Sequence, residues 1–422
     1  MLVRSGVSRL GLVAVTQFLV ATDFDIVFVA LPVIGRSLGF AGSDVQWVVS
    51  AYTVALGGLL LLGGRAADRL GARRVFVAGL AVFGAASLVG GFAATPAWLI
   101  GARAVQGFGA ALLTPATLRL MSGFPDRDRA FAVWGVAGST GAALGAAGGG
   151  LLTSAFGWQA VLWVNVPVVA AALLTAPFVL PADGPRVPGS FDLPGALLGT
   201  AGALLLVYGL VASDPRACGA GAALLVAFWL VERRTRDPLL PALPVARPAV
   251  VALLFMGAVG TTYYLITTHL QDTLGLSVLA AGAGFLPLSA LSMVGAGLVF
   301  PRLAGRLGVR RTLAIGMTGL GLGLVVLALG LTGGSYWLLL PGFVWALFAG
   351  IAFPAVFRAA GAAVPDSQQG VAGAVVSTAQ YIGGAVGLAA LLAVFGGGVG
   401  AGLGAAVVAL VAAGVAGLVR GR

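Results

Sequence analysis

Three ionisable side chains stand deep inside long apolar runs of this sequence: Asp23 and Asp25 in the first run and Arg103 in the fourth. A charge at the centre of a bilayer costs on the order of 3 kcal/mol, so such groups face a cavity and find partners. Two acids and one base do not balance. One acid can close a salt bridge with Arg103, and the acid left over in an apolar setting is the natural group to load and unload a proton. Residues two apart on an α-helix point about 200° from one another, so Asp23 and Asp25 cannot share a face and need different partners. Asp23 shares its face with Thr16, whereas Asp25 lies within a broader face that includes Gln17 and Phe28.

The elements that must position these residues are membrane helices. Of the 422 residues, 59% are hydrophobic and only 9% charged, with a mean hydropathy of +1.06. Apolar runs near the roughly 20 residues needed to cross a bilayer recur along the whole length. They run 10–34, 45–62, 75–92, 98–118, 130–153, 160–180, 194–211, 217–231, 249–268, 280–300, 312–331, 336–356, 371–395 and 401–419, which predicts fourteen spans. The fold class expected is all-α integral membrane. All 24 basic residues are arginine. With the N-terminus placed inside, twenty-one of them fall on the inner side, only Arg36 and Arg216 fall outside, and Arg103 lies within a span. That bias puts both termini in the cytoplasm. The formal charge of +11 therefore sets orientation in a bilayer and does not point to nucleic acid. Cys218 is the single cysteine, so no cysteine metal cluster can form.

The stretch Gly64 to Arg74, GRAADRLGARR, is repeated as RLAGRLGVRR from Arg302, at an offset of 237 residues. The copies match Arg, Ala, Arg, Leu, Gly, Arg and Arg in register, and an apolar run follows each. The chain reads as two related halves, and duplicated membrane halves point to transport. The spans at 194–211 and 217–231 lie between them, which divides the chain into a six-helix half at 1–190, two inserted helices at 191–232 and a six-helix half at 233–422. Without lysine there is no Walker-type phosphate loop, and no catalytic constellation is present, so an enzyme is not expected.

The chain resembles a major facilitator superfamily transporter, and within it the 14-spanner drug:proton antiporter family. Gly64, Asp68, Arg69, Gly71, Arg73 and Arg74 match the signature of the loop between the second and third spans. Arg103, Gln106, Gly107 and Gly109 match the fourth-span R-x-x-Q-G-x-G, with Pro115 beyond it. DFDIVFVALP from Asp23 is similar to D-x-T-I-V-N-V-A-L-P, with Asp25 in place of Thr and Phe28 in place of Asn. Gly145, Gly149 and Gly150 match the fifth-span G-P-x-x-G-G, with Ala146 in place of its proline. The resemblance implies a major-facilitator-type bundle of two six-helix halves plus two central helices. It also implies export of small amphipathic drugs or metabolites in exchange for protons, with no cofactor, by a monomer in the cell membrane. The loop with Asp68 would be a cytoplasmic gate; its downstream copy has Gly305 at that position, so only the first copy supplies the acid. Proton carriage would fall to Asp23, at the motif's own acid position, while Asp25 adds a second site or meets a cationic substrate.

Other readings stand beside these. The missing proline at Ala146 favours a substrate:proton symporter or a uniporter for a metabolite, and from another class a non-transporting membrane sensor or scaffold stays open, less favoured because such proteins usually carry a soluble domain and none is expected here. Gly141, Gly145 and Gly149 recur every four residues on one helix face, as close packing or a bending hinge requires. Tyr263, Trp345, Gln380 and Tyr381, with Gln17 and Phe28, are candidates to line a substrate cavity, although aromatic residues also serve ordinary packing. His269, at the outer end of its span, reads as an interfacial residue.

Overall fold

The computed structural model describes residues 2–122, 124, 127–184, 192–235, 245–364 and 369–418. No strand occurs among the described residues. A bilayer core offers no water to backbone N–H and C=O groups, and a helix satisfies them within itself, so runs this apolar fold as helices. The first half holds α1 (Leu2–Leu38), α2 (Trp47–Leu70), α3 (Ala72–Gly90), α4 (Pro96–Ser122), α5 (Arg127–Phe156), the single turn α6 (Ala160–Trp163) and α7 (Asn165–Val179). The insert forms α8 (Leu193–Val211) and α9 (Pro215–Arg234). In the second half are α10 (Ala246–Thr268), α11 (Val278–Gly284), α12 (Leu286–Val294), α13 (Phe300–Gly330), α14 (Val344–Ala362), α15 (Gln369–Phe395) and α16 (Gly398–Gly417). Eleven stretches among the described residues are long and apolar enough to cross a membrane; one of them, Val278–Gly330, is 53 residues long.

Helices outrun the apolar runs that predict them. The apolar run in α2 ends at Leu62, yet the helix continues through the Arg-rich motif to Leu70, because hydropathy falls before anything breaks the hydrogen-bond ladder. Gly71 is what breaks it, at φ 105° and ψ 138°, a conformation open to glycine and strained for other residues. At the same offset of 237, Gly308 turns α13 with φ 78° and ψ 161°. The sequence repeat is thus a repeat of backbone geometry.

The chain forms two compact units, Met1–Ala201 with Leu225–Leu239, and Gly202–Leu224 with Leu240–Arg422. In the first, α1 lies along α5, α2 and α3 both lie along α4, and α3 also packs on α7. The second repeats the scheme: α10 lies along α15, α12 and α13 both lie along α14, and α13 packs on α16. Glycine makes these approaches close. A Cβ on Gly141 or Gly149 would sit 2.5 Å from the carbonyl oxygen of Phe18 or Ile26 in α1, and one on Gly383 would sit 2.1 Å from that of Leu253 in α10. The glycine stripe of α5 is therefore a contact surface against α1. The boundary expected at 190/191, the middle of the link from Glu232 to Arg247, and Arg186, Arg420 and Arg422 lie outside the described residues. The boundary expected at 232/233 falls in the last turn of α9, which runs on to Arg234.

Candidate functional site

In the first unit the helix pairings carry five polar side chains to one buried point. Asp23 comes from α1, Ser87 from α3, Arg103 and Gln106 from α4, and Asn165 from the start of α7. Arg103 and Gln106 are three residues apart and so stand on one face of their helix. Arg103 Nη1 donates to Asp23 Oδ2 at 2.8 Å and to Gln106 Oε1 at 2.7 Å. Its Nε donates to the Val48 carbonyl at 3.0 Å, and the guanidinium carbon lies 4.2 Å from the centre of the Tyr52 ring. Asp23 Oδ1 accepts from Gln106 Nε2 at 2.8 Å and from Asn165 Nδ2 at 2.6 Å. Ser87 Oγ lies 2.7 Å from Gln106 Nε2. The Asp23 and Arg103 side chains are 0% and 1% exposed, so the charges meet away from water and each is compensated. Glycine again brings the backbones in: a Cβ on Gly107 would sit 2.3 Å from the Tyr52 carbonyl oxygen, and one on Gly109 2.6 Å from the Phe83 nitrogen.

Asp25 is different. It is buried in α1, yet it has no hydrogen bond or ion pair among the described residues. It lies against the glycine stripe of α5, where a Cβ on Gly145 would come within 3.1 Å of the Asp25 Cβ. Gly150 is buried on the same helix. Of the two acids and one base singled out in the sequence, the structure joins Asp23 to Arg103 and leaves Asp25 apart.

The Arg-rich loop is organised by two acids. Asp68 lies 3.3 Å from Arg119 at the end of α4, with both side chains exposed. The acid at the start of α3 is Asp183, which follows α7: its Oδ1 accepts from the Arg73 backbone N–H at 3.0 Å and its Oδ2 from that of Arg74 at 2.8 Å. Arg73 Nη1 donates to the Leu180 carbonyl at 3.3 Å, and Arg74 Nη1 to that of Leu70 at 2.9 Å. A Cβ on Gly71 would lie 2.2 Å from the Asp183 Cγ, so the glycine serves both the turn and the clamp. Gly64 faces Pro115 of α4, and Arg69 is half-buried.

The cavity candidates fall into separate sets. In the first unit Gln17 neighbours Gly138, and Phe28 is buried, edge-on to Phe24 at 5.5 Å. In the second, Tyr263 stacks on Phe285 at 5.5 Å and meets Trp345 edge-on at 5.9 Å, while Gln380 and Tyr381 stand on α15. The Trp345 Nε1 and Gln380 Nε2 donors are buried without a hydrogen-bond partner among the described residues. His269 is buried where α10 passes into one π-helical turn, His269–Thr273. Asn165, Ser87, Tyr52 and Asp183 are site residues that motif reading missed. Asn165 alone carried a signal, as an amide within an apolar run.

Comparison with known proteins identifies the family. The sequence profile described as Major Facilitator Superfamily matches residues 13–388. The chain is 40% identical over 411 residues to the puromycin resistance protein pur8 of Streptomyces alboniger, covering 91% of this chain and 81% of that protein. It is 39% identical over 416 residues to the cephamycin export protein CmcT of Amycolatopsis lactamdurans, covering 93% and 85%. With the multidrug efflux pump LfrA of Mycolicibacterium smegmatis it shares 31% identity over 405 residues, covering 92% and 80%. Its fold matches the crystal structure of the human organic anion transporter MFSD10 with a TM-score of 0.68 at 18% identity, over 98% of this chain and 99% of that one. The chain belongs to the Major Facilitator Superfamily, as a multi-pass membrane transporter whose relatives include antibiotic resistance, export and multidrug efflux proteins.

Proposed function

We propose that this transporter exports small amphipathic compounds in exchange for protons, by alternating access of two six-helix halves. One observation carries the reading: Asp23 is held by Arg103, Gln106 and Asn165, while Asp25 is buried without a partner among the described residues. The motif position favours Asp23 as the carrier, but the pairing favours Asp25. A carboxyl in a closed apolar site and the same carboxyl open to water differ in affinity for a proton, so a cycle between access states loads and discharges it. Asp23 and Arg103 then hold α1, α2, α4 and α7 in register around that site. Relatives named for resistance to puromycin and export of cephamycin support the outward direction. The arginine bias supports a cell-membrane protein with both termini in the cytoplasm. Fourteen crossings are reached when Val278–Gly330 is taken as two spans and α4 and α5 are added to the eleven apolar stretches. The halves are then 1–190 and 233–422, with the inserted pair at 191–232.

Proteoliposomes with an acidic lumen, offered puromycin and a panel of other antibiotics, provide the test. Wild type accumulates at least one compound as protons leave, and a protonophore abolishes the accumulation. Asp25→Asn loses gradient-driven accumulation while retaining downhill exchange. Full driven transport by Asp25→Asn would remove the proton from that site, and accumulation only when the acidic side is outside would make the protein a symporter.

A further inference from the structure

The two copies of the Arg-rich turn share a backbone and differ in what they hold. In the first, the helix that starts after Gly71 receives the Asp183 carboxylate on the N–H groups of Arg73 and Arg74, beside the Leu180 carbonyl. The same offset of 237 residues carries Gly71, Arg73, Arg74 and Leu180 onto Gly308, Arg310, Arg311 and Gly417. Arg310, Arg311 and Gly417, with Ala314, line a cavity of about 310 Å³. The place taken by a carboxylate in the first unit is thus an open cavity with two arginines in the second. Neither the Arg310 nor the Arg311 side chain has an ion pair or hydrogen bond among the described residues, and a Cβ on Gly308 would touch nothing within 4 Å.

We infer that this cavity of the second unit binds a phosphate group from outside the chain, in the position that Asp183 occupies in the first. A helix start favours negative charge, and guanidinium groups pair with phosphate oxygens through two parallel hydrogen bonds. The headgroup of an anionic phospholipid and a soluble phosphate both offer that chemistry. In the orientation proposed above, this basic cluster of α13 lies on the inner side and meets the anionic leaflet directly.

Native mass spectrometry of the purified full chain in detergent, with phosphatidylglycerol, phosphatidylcholine and inorganic phosphate as probes, decides the matter. Wild type retains phosphatidylglycerol and not phosphatidylcholine. Arg310→Gln with Arg311→Gln weakens that retention by about tenfold or more, as loss of charge-assisted hydrogen bonds predicts, whereas Arg306→Gln does not. Gly417→Asp has room for its side chain, since a Cβ there meets nothing within 4 Å, and it brings a carboxylate to the cavity. It therefore expels the lipid, while the uncharged Gly417→Asn retains it. Displacement of phosphatidylglycerol by inorganic phosphate assigns the site to phosphate from either source, and failure to displace assigns it to the lipid. Equal retention by wild type, the double arginine variant and Gly417→Asp, each eluting as a folded monodisperse species, overturns the inference.

Discussion

Replacing Asp23 by Asn should be among the most damaging single changes in the first unit. Arg103 is buried and its Nη1 lies 2.8 Å from Asp23 Oδ2, so the substitution leaves a guanidinium without its counter-charge, which costs about 3–5 kcal/mol. The new amide also turns its N–H groups either toward Arg103 Nη1 or toward Gln106 Nε2 and Asn165 Nδ2, all of which already donate to this position. Arg103→Met is expected to cost less, because Gln106 and Asn165 still hold the carboxylate. The double variant should then fall short of the sum of the two singles by about 2 kcal/mol, the size of coupling found for groups in one hydrogen-bond network. Asp25→Asn, with no partner to lose, should stay within about 1 kcal/mol of wild type. Unfolding of the purified protein in mixed micelles by increasing dodecyl sulfate, followed by tryptophan fluorescence, reads all four differences. Equal losses for Asp23→Asn and Asp25→Asn, or simple additivity in the double variant, would refute the assignment of Arg103 to Asp23.

Two further outcomes follow from the loops. Reporter fusions after Ser213, between α8 and α9, should read external and fusions after Thr235 cytoplasmic; a cytoplasmic Ser213 would leave twelve spans with an odd linker. Asp68→Asn should cost under about 1 kcal/mol of stability, since its pair with Arg119 is exposed. Transport should nevertheless fall sharply, with no rescue by Gly305→Asp, and wild-type transport would reduce the loop to a signal for orientation.

Helix positions and the internal repeat were legible in the sequence because hydropathy and arginine placement follow directly from bilayer physics. Arg103 and Gln106 announced themselves as polar groups three apart in an apolar run. Asp23 did so as well, but nothing local tied the remaining partners to them. Asn165 sits in a different run more than fifty residues away, and Ser87 is small enough to pass as packing, so only the pairing of α3 with α7 and of α1 with α4 and α7 brings them to Asp23. Asp183 follows an irregular segment after α7, and nothing in its surroundings points to a helix start 110 residues earlier. The ends of helices were misjudged for a related reason. Hydropathy marks where a helix leaves lipid, whereas Gly71 marks where the backbone turns.

The repeat also explains why the halves can divide labour. Identical pairings of helices and a shared glycine turn mean that both units solve the same packing problem, which leaves side chains at the pairings free to differ. The ionisable groups deep in the spans, Asp23, Asp25 and Arg103, all belong to the first unit. At the corresponding depth the second unit has glycine and threonine in α10, the aromatic contacts of Tyr263, Phe285 and Trp345, and buried donors on Trp345 and Gln380. A buried charge that stays ionised is screened from lipid and compensated, which ties down its neighbours on several helices, as Asp23 ties α1 to α4 and α7. An aromatic surface imposes no such bond pattern and tolerates ligands of varied shape. Under the proposed function, a first unit with a tightly bonded polar cluster and a second with adaptable aromatic contacts is a distribution that would let coupling stay fixed while the cargo changes.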